Sequence, residues 1–516
     1  MSDPRPAPAA LRVTTRVLPL EGVELLPVYR ALAQRFGPRE VYLLESAAGP
    51  LPDRRFQFVG FGALLSVAVT GGRVRVEGHP ALCALLRERI RPFLDTATDT
   101  DTDTDTDAGG DTGAGADADA GGGGGRLRTP GALWPLLRAV RDLFDAPASA
   151  ERFRFGFLSF FGYDTVRYVE DLPYLMERCE GALPDVQLVL HQGCVVRDLA
   201  AGRTELLLHE CGVWPALAAG EVTALLEGAA ESHPEPDAVA VPEAVVRDDS
   251  DPRTFAGQVE LCLKHIAAGD IYQVQIGHEL AMRSPIDPVE VYRRLRRRNA
   301  SPYMYLASVG GQCVIGASPE LFVRIERDTV TMRPIAGTLP RAGDDGAGAQ
   351  RLRGDPKEIA EHTMLVDLCR NDIGRIARAG SLAVPDEFAV EGYSHVLHLV
   401  STVTGRVAAG RDVFDVVAAL FPAGTMTGTP KIRAMEIIES VERSRRGLYA
   451  GALGLMGAGG YTNLALCIRT LFHQGGVYRT RASAGVVADS DPGGEWRETL
   501  AKMSAAYWAV TGEELL

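Results

Sequence analysis

An α+β fold with large layered sheets is predicted by two features of this sequence. Long helical patterns recur through the C-terminal half, and many short runs of β-branched, aromatic and apolar residues have antiparallel character. The chain has 516 residues, 46% hydrophobic and 23% charged, which is ample for one large core or two domains. In order, residues 41–46 (VYLLES), 55–69 (RFQFVGFGALLSVAV) and 152–170 (RFRFGFLSFFGYDTVRYVE) read as strands. Residues 133–144 (LWPLLRAVRDLF) read as a helix. Residues 252–270 read as a helix stopped by Gly269, and residues 412–421 as a further helix. Residues 464–472 (LALCIRTLF) and 477–488 (VYRTRASAGVVA) read as strands.

Two segments interrupt this pattern. Residues 96–125 form an Asp/Thr/Gly run too poor in apolar surface to order itself, so a disordered loop is expected. Residues 228–251 are rich in Ala, Glu, Asp and Pro and are expected to be a linker. Their His233-Pro234-Glu235 superficially resembles an amidotransferase His/Glu pair, but no cysteine sits in a nucleophile elbow. The implied organisation is an N-terminal part over 1–95 and 126–227, split by the loop, and a catalytic domain over 252–510.

The formal net charge of −13, partly due to the Asp run, argues against nucleic acid as a partner. No apolar run reaches membrane-spanning length, and the N-terminus lacks a secretory apolar core. Eight scattered cysteines without CxxC spacing indicate reduced thiols, hence a cytoplasmic protein.

The chemistry concentrates in four glutamates. Glu358 and Glu361, then Glu495 and Glu498, have i,i+3 spacing, so each pair shares one helix face. Brought together, they would concentrate negative charge that a hard divalent cation relieves through oxygen ligands. Asp355-Pro356-Lys357-Glu358 is equally a good helix start, so one pair alone would be capping. Further motifs offer donors to an anion. Gly337 and Thr338 lie in an expected turn. Residues 421–438 (FPAGTMTGTPKIRAMEII) open a helix. Ser483, Ala484 and Gly485 form an expected small-residue turn, and Arg469 suits a bidentate carboxylate contact.

These ordered motifs, with GDIYQV (269–274), ASPELF (317–322) and RPIAGT (333–338), closely resemble component I of anthranilate synthase. That enzyme belongs to the chorismate-utilising family, and the likeness runs from about residue 41 to 503. The resemblance implies two large antiparallel sheets packed as a layered sandwich with helices outside. It also implies chorismate as substrate and Mg²⁺ as cofactor. Glu361 and Glu498 match the family's metal ligands, with Glu358 and Glu495 lining the same site. Tyr449, Arg469, Ser483, Ala484, Gly485, Gly337 and Thr338 match substrate-binding positions. Lys502 helps neutralise a carboxylate or simply pairs with Glu498. Glu320 matches the acid that protonates the leaving C4 hydroxyl.

Four positions address which family reaction is run. Gln273 stands where isochorismate synthases carry a lysine base, and an amide cannot activate water. Ala336 replaces the nucleophilic lysine of many aminodeoxychorismate synthases. Ammonia addition at C2 is what remains. His398 and Thr425 match positions tied to the later loss of pyruvate. The lead expectation is therefore anthranilate plus pyruvate from chorismate and ammonia, for tryptophan biosynthesis or another anthranilate demand. The alternatives are release of the amino intermediate, 2-amino-2-deoxyisochorismate, without lyase activity; an aminodeoxychorismate synthase; and a non-catalytic tryptophan sensor. Ser483 where glycine is usual, VQIGHEL after position 273, and Gly392 depart from the family pattern and keep the first alternative open. Ammonia would come from a separate glutamine amidotransferase subunit in a hetero-oligomer. Ser46, at the end of LLES, and Pro302-Tyr303-Met304 resemble the family's tryptophan motif, which implies feedback inhibition by L-tryptophan.

Overall fold

A computed structural model describes residues 10–50, 53–95, 124–146, 149–173, 175–176, 182–232, 241–341, 345–393 and 396–516. Most of the Asp/Thr run and the His233-Pro234-Glu235 triplet lie outside the described residues. Gly125, the last residue of the expected loop, is instead in a strand paired with Val74.

The architecture is built on two long strands, Phe56–Thr70 and Val186–Asp198. They pair antiparallel over most of their length, with an irregularity between Ala63 and Leu65. Their two halves then diverge into different sheets. One half continues through Val41–Glu45, Tyr303–Val309, Gln312–Ser318, Thr470–Gln474 and Val477–Val486 to Gln273–Arg283. The other continues through Gly156–Phe161, Ala452–Gly457, Thr462–Leu466, Leu321–Glu326 and Thr329–Met332 to Val396–Arg406. All these pairings are antiparallel. Sheet twist and the bend at an irregularity let one long strand serve both layers.

The sheets pack face to face through Tyr42, Tyr305 and Val314 of one and Leu158, Phe160, Leu453 and Ala465 of the other. Glycine makes room for the two tyrosines. A Cβ on Gly60 would lie 2.0 Å from the Tyr42 ring, and one on Gly316 2.1 Å from the Tyr305 ring. Helices cover both outer faces. Leu25–Phe36, Pro288–Arg298 and Pro492–Thr511 pack on the first sheet, and Pro80–Ile90, Leu133–Arg141 and Val413–Leu420 on the second. The strand Gly156–Phe161 is therefore buried on both faces. Phe157 and Phe161 face helices while Leu158 and Phe160 face the other sheet, which explains its unbroken apolar run. The expected α+β sandwich with outer helices is what the chain forms.

Several local expectations are corrected. The end of the run read as one strand over 152–170 turns into a 3₁₀ segment at Tyr163–Tyr168. Residues 464–472 are two strands, interrupted before Thr470 where Arg469 adopts φ 52°. The expected turn at Ser483-Ala484-Gly485 is the C-terminal part of the strand Val477–Val486, facing Gly277, Ile276 and Gln275. Small residues are there for close approach by neighbours, not for a turn. The expected turn at Gly337-Thr338 is a register shift within the strand Ile335–Pro340, with Gly337 at φ 62°. Within the expected linker, Val245–Asp248 joins the sheet beside Gln273–Arg283.

Candidate functional site

Two helices supply the glutamates. Pro356–Gly374 starts at Asp355, whose carboxylate accepts from the Lys357 and Glu358 N–H groups at 2.9 and 3.4 Å. Pro492–Thr511 starts at Asp491, which accepts from Gly494 N–H at 2.7 Å. The capping reading thus holds at both helix starts. The first helix packs on Ile335–Pro340 and Val396–Arg406, the second on Val477–Val486. This brings the two pairs to face each other.

Their electrostatics record the encounter. Burial, then Glu358, Glu498 and Glu495 as like charges, hold the Glu361 carboxyl above its ordinary value, with Lys357 opposing. Burial raises Glu358, with Asp355 and Glu498 adding to it, and burial with Glu498 raises Glu495. Each helix carries one cation against the cluster: Lys357 lies 3.8 Å from Glu361 and Lys502 2.6 Å from Glu498. These side chains are partly exposed, so the pairs screen the repulsion without cancelling it. An oxygen-only donor set of this charge suits a hard divalent cation. Among the described residues, the His/Cys/Asp/Glu group whose ligand atoms all lie within 4.8 Å of one another is Asp248, Asp249 and His278. That group is already consumed, because His278 spends Nδ1 on Asp248 and Nε2 on Thr499, each at 2.8 Å.

The rest of the predicted site surrounds the glutamates. Lys502 donates to the Ser483 carbonyl at 2.8 Å, and Arg469 donates to the Lys502 carbonyl at 2.8 Å. Lys502 therefore does more than pair with Glu498. The Arg469 guanidinium senses Tyr449 and Glu498, and burial raises the Tyr449 phenol, which lies against Ser483. Gly337 adjoins the cluster, since a Cβ there would lie 2.8 Å from Glu358 Oε2. Thr338 is in the same strand; its side chain is outside the described residues. Gln273 and Gly485 meet on one sheet face, where a Cβ on Gly485 would lie 3.0 Å from Gln273 Nε2 and 2.8 Å from Gln275 Nε2. Ala484 is fully buried and packs into the layer behind.

Glu320 is 9% exposed, and burial pushes its carboxyl up to about 7. Thr425 Oγ1 donates to Glu320 Oε1 at 3.1 Å, which opposes that rise by favouring the carboxylate. His398 Nδ1–H donates to the Gly337 carbonyl at 2.7 Å. Burial, with Arg469 adding, holds its imidazole below the ordinary value, and the Gly337 hydrogen bond opposes this. The predicted residues thus converge from both sheets and two helices. Residues the motif reading passed over hold them there. Arg446 donates to the Met426 and Gln275 carbonyls, each at 2.7 Å, and pairs with the buried Glu442 at 2.8 Å. Lys431 bridges Asp372, at 2.7 Å, to the Pro422 carbonyl, at 3.0 Å, joining the first glutamate helix to the Thr425 loop. Their signal in the sequence is weak, because a buried cation is visible only once its partners are.

The residues of the LLES and Pro302-Tyr303-Met304 segments come together as well. Met304 pairs with Glu45 across adjacent strands, and Ser46, Pro302, Tyr303 and Met304 line one cleft. Ser46 Oγ donates to the Phe56 carbonyl at 3.2 Å, and Tyr303 OH to Asp53 at 2.9 Å.

Among the described residues no helix is long and apolar enough to cross a membrane. The cysteines described are all free thiols.

A relative from Streptomyces globisporus, 2-amino-4-deoxychorismate synthase, is 67% identical over 518 residues, covering 100% of both chains. Anthranilate synthase component 1 of Streptomyces coelicolor is 42% identical over 378 residues, covering 70% of this chain and 74% of its own. The solved component I of Streptococcus pneumoniae superposes with a TM-score of 0.66 at 27% identity, covering 88% of this chain and 92% of its own. The menaquinone-specific isochorismate synthase of Escherichia coli shares the fold, at TM-score 0.64 and 16% identity, covering 98% and 96%. A family model described as chorismate binding enzyme matches residues 124–507, and the chain belongs to that family.

Proposed function

We propose that this protein adds ammonia to C2 of chorismate and releases 2-amino-2-deoxyisochorismate, keeping the enolpyruvyl ether. The observation that carries this reading is the 67% identity over the whole chain to a 2-amino-4-deoxychorismate synthase. The two names describe one compound: nitrogen at C2, no oxygen at C4, enolpyruvyl group at C3. Anthranilate, the first expectation from the motifs, is the product of the more distant relatives, at 42% identity and below.

In the proposed step the ammonia lone pair forms the bond to C2 and the two ring double bonds shift. The C4–O bond breaks, the hydroxyl leaves as water with a proton from Glu320, and the new ammonium gives up a proton to solvent, from which Glu320 is reprotonated. Glu320 suits this role because burial keeps a proton on it near neutral pH. Gln273 cannot act as a base for water, and Ala336 cannot attack C2. Loss of pyruvate would need a further step, in which the C2 proton is removed, the C3–O bond breaks and the released enolpyruvate takes a proton at its methylene.

Mg²⁺ held by Glu361 and Glu498, with Glu358 and Glu495 in support, would bind and neutralise the ring carboxylate. Arg469, Tyr449 and Lys502, with the backbone of Ser483 to Gly485 and of Gly337 and Thr338, would orient the substrate's carboxylates. Ammonia would be delivered by a separate glutamine amidotransferase subunit. The cleft of Ser46, Pro302, Tyr303 and Met304 is proposed to take L-tryptophan as inhibitor.

Purified protein given chorismate, Mg²⁺ and ammonium should yield an amino acid that retains the enolpyruvyl group by mass, with no pyruvate released. Stoichiometric pyruvate and anthranilate fluorescence would contradict the reading. With Glu320 as the acid, kcat/KM should fall as pH rises through about 7, where the acid loses its proton. Thr425→Val removes a hydrogen bond that favours the carboxylate, so that limb should move to higher pH; a downward or absent shift would remove Glu320 from the role. Tryptophan at saturation should suppress turnover, and undiminished activity there would eliminate the regulatory cleft.

A further inference from the structure

A chain of buried ionic contacts runs from the cleft of Ser46 and Tyr303 to the strands that carry Gly337 and His398. Asp53 begins it. Its carboxylate accepts from Tyr303 OH at 2.9 Å and its backbone carbonyl from Ser46 Oγ at 3.4 Å. Arg333, 4% exposed, grips Asp53 with one guanidinium nitrogen and Glu391 with another. Arg324 lies 3.8 Å from Asp53, and Arg333 Nε reaches Thr402 at 3.4 Å. Glu391 stands directly opposite His398 in the pairing of Ala383–Gly392 with Val396–Arg406, so the two side chains share a face. Two residues on, the Tyr393 ring meets the His398 ring edge-on at 5.1 Å. His398 in turn holds the Gly337 carbonyl. Arg333 itself leads through Pro334 into the strand Ile335–Pro340 that contains Gly337.

We infer that Arg333 is a positioning residue. It fixes the Glu391–His398–Gly337 edge of the active site against Asp53, and so ties the cleft to the chemistry. A planar guanidinium suits this, because it holds two carboxylates in fixed directions where an ammonium would not. A ligand in the cleft that moves Tyr303 or Ser46 would disturb Asp53, then Arg333, then the edge that faces the substrate. The positioning half of this inference stands on the site geometry; the coupling half rests on the proposed tryptophan cleft.

Shape-preserving variants test it. Glu391→Gln and Asp53→Asn, in the full chain with chorismate, Mg²⁺ and ammonium, are compared with wild type for kcat, chorismate KM, tryptophan inhibition and thermal midpoint. Glu391→Gln should lower kcat about tenfold with KM changed less than about twofold. Asp53→Asn should raise the tryptophan concentration for half-inhibition about tenfold. Arg333→Lys should impair both properties even though it keeps the charge. Unchanged kcat in Glu391→Gln would overturn the positioning role, as would a loss recovered by assaying well below a lowered thermal midpoint. Unchanged inhibition in Asp53→Asn would overturn the coupling. A wild type insensitive to tryptophan would remove the cleft and the coupling together, while the kcat comparison would still decide the positioning role.

Discussion

Four carboxylates held face to face between two helices are the constraint on which the rest of this site depends. Burial and mutual repulsion raise Glu358, Glu361 and Glu495 above the ordinary carboxylate value. A fold does not gather such charge for its own stability, since like charges in a partly desolvated space oppose folding. The cost is tolerable because each helix also brings a lysine, and because a hard cation with an anionic substrate would complete the charge balance. Lys502 links this balance to the neighbouring strand by reaching both Glu498 and the Ser483 carbonyl.

The scaffold makes that confrontation possible. The two shared strands commit the chain to paired sheets, and the helices then have only the outer faces to cover. The glutamate helices pack on strands from different sheets, Ile335–Pro340 and Val477–Val486, so the site forms where the layers meet. Buried ion pairs such as Glu442–Arg446 and Asp372–Lys431 sit directly behind it. Such pairs add little net stability but fix geometry, because breaking one leaves an uncompensated buried charge. Holding Met426, Gln275 and Pro422 by their carbonyls is a use of that rigidity.

Much of this was legible in the sequence because it is local. Helix caps at Asp355 and Asp491, the i,i+3 glutamates and the long apolar strands each follow from short-range rules, and the family motifs located Glu320, His398, Thr425 and Arg469. What escaped were features set by distant partners. Ser483 to Gly485 looked like a turn because small residues favour turns, yet the strand Gln273–Arg283 claims them as a ladder partner. Gly337 looked like a turn for the same reason and is a strand irregularity. Arg333 and Lys431 sit inside family motifs that gave them no role, and Arg446 in none; their meaning lies in carbonyls and carboxylates far along the chain. The proposed product was the least legible, since relatives that share this chain's motifs are named for different products.

The most direct measurement is the thermal midpoint of the purified chain against pH, with and without Mg²⁺. The raised carboxyls bind protons in the folded state that the unfolded state has lost above their ordinary value of 4.5. Their contribution is present in full below that pH and is lost as pH rises through the folded-state values. Mg²⁺ should therefore raise the midpoint more at pH 8 than at pH 5, and Glu361→Gln or Glu498→Gln should abolish that difference. A Mg²⁺ effect that is independent of pH, or that survives both substitutions, would contradict the account.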